Sequence, residues 1–174
     1  LTYFCRTFEK IYSADNFSSV AGSSRTVLNS AAFSSLAPNR SYYFRARAEN
    51  DAGTATSYTF VLTTATFAAA PTGLALTQLS SSTLVAAWQR NSNPTDTQFE
   101  VSLSSDNFAA AISTPLPFSA ASAVIQANLT GLSMDTTYYA RVRARNRYGF
   151  TTTFSTASYF IPTNLTQSID PSLP

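Results

Sequence analysis

The 174-residue chain contains no histidine, a single cysteine, a single lysine and a single tryptophan, and charged residues make up only 11% of it. Without histidine it lacks the commonest metal ligand and the side chain best suited to proton transfer near neutral pH. Its nine carboxylates are scattered, and no Gly-rich phosphate loop, Gly-x-Ser-x-Gly elbow or cluster with metal-ligand spacing occurs. General acid–base, nucleophilic and metal-assisted schemes therefore lack their parts, so the chain reads as a non-enzyme without cofactor. Cys5 alone excludes an internal disulfide and leaves stability to packing, with pairing to another chain its one route to a disulfide. No run of about 18 apolar residues is present, which excludes a membrane-spanning helix. A net charge of +2 is too small to make nucleic acid the expected partner. Nothing at Leu1 resembles a signal peptide, and the expectation is a mature chain or a fragment.

Hydrophobic residues at 44% and aromatics at 13% supply enough material for buried cores. Twenty-five Ser and 24 Thr fill the polar positions that charges usually occupy. Thr is β-branched and suits a pleated surface, so the substitution points to strands. The cations are ten Arg against one Lys, which favours planar, forked donors over point charges.

The sequence LAPNRSYYFRARAENDAG at 36–53 returns as LSMDTTYYARVRARNRYG at 132–149, 96 residues on. A second pair, SADNF at 13–17 and SSDNF at 104–108, repeats at 91. Such self-similarity means tandem domains, and the five extra residues fall in 109–126, an Ala, Ser and Pro-rich stretch expected to be a loop. Strict alternation over 98–104 puts Phe99, Val101 and Leu103 on a buried face and Glu100 and Ser102 on the other. Along 137–145, Tyr138, Ala140, Val142 and Ala144 share one face, while Tyr139, Arg141, Arg143 and Arg145 share its opposite.

The repeated pattern of Leu, Tyr six positions later, an alternating strand, then Asn and Gly resembles the E–F corner and F strand of fibronectin type III domains. That resemblance implies an all-β fold of tandem immunoglobulin-like sandwiches with Greek-key order. It implies tyrosine-corner roles for Tyr42 and Tyr138, core positions beside them for Leu36 and Leu132, and a core role on strand B for Trp88. Strands A, B, C, E, F and G are expected at 74–79, 83–88, 98–104, 123–129, 137–145 and 151–160. The implied domains are 1–66, a partial copy holding strands C to G, and 67–162, a complete one. The tail 163–174 resembles the first strand of a further repeat, because Pro162, Thr163, Asn164, Leu165 and Thr166 echo PTGLA at 71–75. Strands A and B of the first copy, with the counterpart of Trp88, have no place in this sequence. Two explanations compete: an excerpt of a longer array, or subunits that exchange strands, with 162–166 as the donor.

The outward rows Arg45 and Arg47, and Arg141, Arg143 and Arg145, with Tyr43 and Tyr139 beside them, form a candidate interaction face. Read plainly, they are a solvated ladder paired with Glu9 and Glu100; read functionally, they meet an anionic glycan or a protein carboxylate. No Arg-Gly-Asp tripeptide or Trp-Ser-x-Trp-Ser box is present to support integrin or cytokine recognition. Asn16, Asn39, Asn128 and Asn164 lie in Asn-x-Ser/Thr sites. The expected role is a structural or adhesive extracellular or cell-surface array, leaning bacterial in composition, that associates with itself or with neighbouring repeats. The alternative is a spacer or a glycan- or protein-binding module of a larger secreted protein, for example beside a carbohydrate-active enzyme.

Overall fold

The computed structural model describes residues 5–118 and 124–163, and side chains from Thr7 onward. These residues form eleven strands and no helix. They divide into two units, one of Leu1–Ala69, Ser92–Pro94 and Asn146–Phe150, the other of Ala70–Asn91, Thr95–Arg145 and Thr151–Pro174.

In the first unit β1 (Cys5–Ser13), β2 (Gly22–Thr26), β3 (Ser41–Asn50) and β4 (Leu62–Ala65) make one antiparallel sheet in the order β2-β1-β3-β4. Register places Phe8 opposite Ala48, Lys10 opposite Ala46 and Tyr12 opposite Phe44, so these six side chains share a face. Leu62 joins them as the partner of Phe44.

The second unit contains β5 (Thr72–Ser80), β6 (Thr83–Gln89), β7 (Gln98–Ser104), β8 (Ser113–Leu116), β9 (Gln126–Thr130), β10 (Thr136–Arg145) and β11 (Ser155–Ile161). One sheet runs β11-β10-β7-β8 and the other β5-β6-β9. Period-2 alternation gives each an apolar face. Leu84, Ala86 and Trp88 of β6 and Phe99, Val101, Ala140, Val142 and Ala144 of β7 and β10 are all buried. The rings of Trp88 and Phe99 meet across the core at 5.7 Å, although the Trp88 Nε1 has no hydrogen-bond partner. Two sheets packed face to face around such a core form a β-sandwich.

The expected loop at 109–126 contains β8, which pairs with β7 through a broken register, Val101 with Leu116 and Leu103 with Ser113. Pro115 is tolerated there because β8 is an edge strand, where a missing N–H interrupts no inner ladder.

The two units share strand sequences but not their covering. Ala140, Val142 and Ala144 are 0% exposed, whereas Phe44, Ala46 and Ala48 at the matching positions of β3 remain half-exposed. Residues 30–34, the counterpart of β9, form no strand, although strand E was expected within the first copy. In the second unit β9 is held by β6, from Thr83–Thr130 to Ala87–Gln126. No described strand of the first unit plays the part of β6, and a strand without a ladder leaves its backbone groups to water.

Replacing Trp88 with Ala removes the largest side chain between the two sheets. The second unit is expected to lose roughly 3–5 kcal/mol of stability, the usual cost of truncating a buried aromatic, while the β1–β4 sheet is unaffected. Urea titration followed by backbone amide spectra of each unit checks this; equal loss in both would overturn it.

Candidate functional site

The outer face of each principal sheet is built from the repeated Ser-x-Asp-Asn-Phe segment. The Ser13 hydroxyl donates to Asp15 Oδ1 at 2.6 Å and accepts the N–H groups of Asp15 at 3.0 Å and Phe17 at 2.9 Å. Ser104 repeats this with Asp106 and Phe108 at 2.6, 3.1 and 2.9 Å. Both carboxylates accept further N–H donors, Asp15 from Ser19, Asp106 from Ala109, Ala110 and Ala111. The serine hydroxyl and these donors hold the carboxyl groups of Asp15 and Asp106 down to about 2.

This network fixes a strained backbone. Asn16 and Phe17 have φ of 55° and 67°, and Asn107 and Phe108 have 56° and 64°, left-handed values uncommon for a bulky side chain. The result is to aim each phenyl ring at an arginine. Phe17 lies 4.1 Å from the Arg45 guanidinium and Phe108 4.1 Å from that of Arg141. On the other side Tyr58 and Phe154, each five residues after the turn glycine, close the stack at 4.3 and 4.1 Å.

The next rung also repeats. Arg47 lies 4.7 Å from the Tyr58 ring and its Nε donates to Glu9 at 2.6 Å. Arg143 lies 4.9 Å from Phe154 and its Nε donates to Glu100 at 2.7 Å. Tyr58 Oη donates to Glu9 at 2.7 Å, and this bond, with Arg47, holds the Glu9 carboxyl below its ordinary range against the opposing effect of burial. Burial and the Glu9 carboxylate in turn push the Tyr58 hydroxyl up. The last rung differs: Glu49 pairs with Arg25 at 3.2 Å, whereas Arg145 stacks on Phe118 at 4.6 Å and donates to Gln98.

The ladder expected to be solvated is therefore packed. Sequence reasoning found the arginines and their glutamates but not the rings against them, although Phe17 and Phe108 stood inside a recognised repeat. Tyr43 and Tyr139 are half-exposed and pair in register with Ser13 and Ser104.

The corners repeat as well. Tyr42 Oη accepts the Ala37 N–H at 2.9 Å, and Tyr138 Oη accepts that of Ser133 at 2.9 Å. Leu132 is buried and Leu36 half-buried. In the turn after β3, the Asn50 side-chain Oδ1 accepts the N–H groups of Ala52 and Thr54; after β10, the Asn146 Oδ1 accepts those of Tyr148 and Phe150. Gly53 and Gly149 complete these turns at φ of 78° and 89°, which only glycine adopts freely. Asn39 is 2% exposed, which removes it as a glycan acceptor, whereas Asn16 and Asn128 are exposed. Pro162 and Thr163 are exposed; Asn164, Leu165 and Thr166 lie outside the described residues, as does the Cys5 side chain.

The inner face of the β1–β4 sheet is the second candidate surface. Phe33 from the irregular 27–33 segment packs on Tyr12 at 4.9 Å and Phe44 at 5.8 Å, covering one end of it. Beside that patch an open apolar groove of about 300 Å³ runs between Phe33 and Leu62 over Phe44 and Ala46, with Lys10 in its lining. No set of three or more residues that could hold a metal ion exists among the described residues.

Paired antiparallel sheets with a tyrosine-to-backbone corner in each copy define a module of the immunoglobulin-like sandwich class. The model of the fibronectin type III domain matches residues 69–161, more than half of the chain, and the chain belongs to that family. Among solved structures, a two-domain fibronectin type III segment of chicken tenascin is similar over 92% of this chain and 86% of that one, with 12% identity and a TM-score of 0.62. The FN1–FN3 domains of chicken CNTN1 match 90% of this chain and 56% of that one, with 15% identity and a TM-score of 0.48. At such identities the likeness to tenascin shows the fold alone. None of the curated proteins compared with the chain matches it. Fibronectin type III domains are generally non-catalytic modules that mediate protein interactions.

Two outcomes are expected of the ladder. Arg141→Ala should cost the second unit about 1–2 kcal/mol in urea unfolding, since two ring contacts vanish together; no change would mean the stack contributes nothing. Carbon-detected titration of Asp15 and Asp106 should give midpoints near 2, and Ser13→Ala and Ser104→Ala should each move theirs towards the ordinary 3.8. Because the folded value is depressed, the stability these groups add is complete above 3.8 and is lost as pH falls through about 2. Midpoints unmoved by the serine substitutions would refute the assignment.

Proposed function

We propose that the chain is a non-enzymatic structural and adhesive element of an extracellular or cell-surface protein, and that copies associate by exchanging strands across the open face of the first sheet. The observation that carries this reading is the contrast between two matching faces, 0% exposed at Val101, Ala140, Val142 and Ala144 and half-exposed at Lys10, Phe44, Ala46 and Ala48. An apolar sheet face left open marks an interaction site, and an unpaired strand edge invites another strand. Leu62 of the edge strand β4 is 68% exposed, and Phe60 just before it 99%. The sequence PTNLT at 162–166 resembles PTGLA at 71–75, which leads into β5 of the covering sheet. A strand passed from each copy to the next is a heterologous contact, and its repetition builds a filament. Glycan binding through the Arg–Tyr face has less support, because the protein's own rings occupy the guanidinium faces that an anionic sugar would need.

Light scattering after size exclusion tests the reading. The 174-residue chain should form polymers or a closed oligomer, and the same chain ending at Thr163 should be a monomer. A monomeric intact chain, or polymers unaltered by the truncation, would overturn it.

A further inference from the structure

The turns after β3 and β10 share one backbone and differ in their side chains. Asn50 Oδ1 accepts the N–H groups two and four residues on at 3.1 and 2.9 Å, and Asn146 Oδ1 does the same at 3.0 and 2.9 Å. The residues that donate those N–H groups are Ala52 and Thr54 in the first turn but Tyr148 and Phe150 in the second. A turn that forms with Ala and Thr does not need two aromatic rings. Burial does not account for the rings either, because Tyr148 and Phe150 both remain more than half exposed.

A third exposed ring stands beside them. Phe150 meets Phe67 edge to face, with centroids 5.7 Å apart and planes at 81°, and Phe67 is also more than half exposed. The backbone under these rings is pinned through the buried Asn39. Its N–H donates to the Phe67 carbonyl at 3.0 Å, and its Oδ1 accepts the Arg147 N–H at 3.0 Å. Asn146 Nδ2 adds a bond to the Thr66 carbonyl at 3.4 Å. All of these residues belong to the first unit. They border an open groove of about 560 Å³ whose lining includes the exposed Thr63 and Thr64 of β4 and, among the described residues, no charged side chain.

We propose that this groove binds a neutral carbohydrate chain. The uncharged lining selects against an anionic glycan or a charged peptide, which would lose water there without a counter-charge. Two rings set nearly at right angles offer faces to the C–H faces of sugar rings, whose weakly positive hydrogens suit the negative face of a π system. The Thr63, Thr64 and Tyr148 hydroxyls can each donate and accept, as sugar hydroxyls do. A proline-rich peptide would also use the rings, but its pyrrolidines carry no donor for the threonines. Because both sides of the groove are held by hydrogen bonds, ordering them adds little to the cost of binding. The site uses neither the Arg ladder nor the open inner face, so it stands or falls separately from strand exchange.

Saturation-transfer difference NMR on the full 174-residue chain tests the site, with a signal on the sugar that is readable for monomer and polymer alike. The probes are hexasaccharides of glucose, mannose, galactose and N-acetylglucosamine, with a heparin hexasaccharide and a proline-rich peptide for comparison. At least one neutral sugar should bind at about 1 mM or tighter, with its C–H protons saturated most strongly. Tyr148→Ala combined with Phe150→Thr gives this turn the residues that serve after β3, so its fold is kept, and backbone amide spectra check that. The pair should weaken binding about ten-fold or more, and Phe67→Ala should do the same from the other side of the groove. Absence of binding by every neutral sugar, binding unchanged by these substitutions, or binding of the heparin fragment or the peptide alone would overturn the assignment.

Discussion

A sheet with an apolar face must hide that face from water, and the covering of β7 and β10 by β5, β6 and β9 is the constraint on which the second unit depends. Burial is worth about 25 cal/mol for each Å² of apolar surface, so closely packed side chains between two sheets outweigh any single hydrogen bond in the molecule. Trp88 and Phe99 meet in that interior, and the small Ala140 and Ala144 are fully buried beside Val142. The described residues of the first unit form the same sheet and the same corner, with no covering sheet among them. Its aromatic-rich face, with Tyr12, Phe33 and Phe44 in mutual contact, is a partial substitute in which the chain's own 27–33 segment leans on one end of the sheet.

The outer face solves a different problem. It has no second sheet, yet Ser13 is 0% exposed, Ser102 3% and Ser104 3%. Guanidinium groups stacked between rings do the covering: a planar cation shields apolar surface, and the stacking of Arg45 and Arg141 buries their Nε atoms without a hydrogen-bond partner. This accounts for the preference for Arg over Lys in a chain with so few charges. A lysine would offer a point charge and no plane. It also explains why a strained phenylalanine is retained in both copies, since the left-handed turn is what brings the ring over the arginine.

Much of this fold was legible from period-2 alternation and from the repeat. The faces of β7 and β10 follow from the spacing within each strand, while the pairing of Glu9 with Arg47 and of Glu100 with Arg143 and the tyrosine-to-backbone corners were implied by the family resemblance. The ring contacts were not legible, because they join three segments, the loop after β1 or β7, the strand β3 or β10, and the stretch before β4 or β11. Their spacing in sequence says nothing until the strands are in register. β8 was missed for another reason: a four-residue strand containing Pro115, in a stretch rich in Ala and Ser, carries no strand signal of its own and exists because β7 offers it a ladder.

The two copies act as controls for each other and separate what is local from what is not. The Ser-x-Asp-Asn-Phe turn, the Asn-to-backbone turn with its glycine, the tyrosine corner and the Arg stacks form in both copies, with distances that agree to within a few tenths of an ångström. None of them requires the covering sheet. The strand at 126–130 does require it, because its counterpart at 30–34 has no described ladder to join. Local side-chain chemistry therefore builds the outer face and the turns unaided, while the inner face of the first unit is only half-buried by the described residues. A sheet whose turns and outer layer are already set loses little further freedom when a strand arrives, so the entropic cost of closing it falls mainly on the incoming segment. In the proposed strand exchange the open face is the receptor and the incoming segment the ligand.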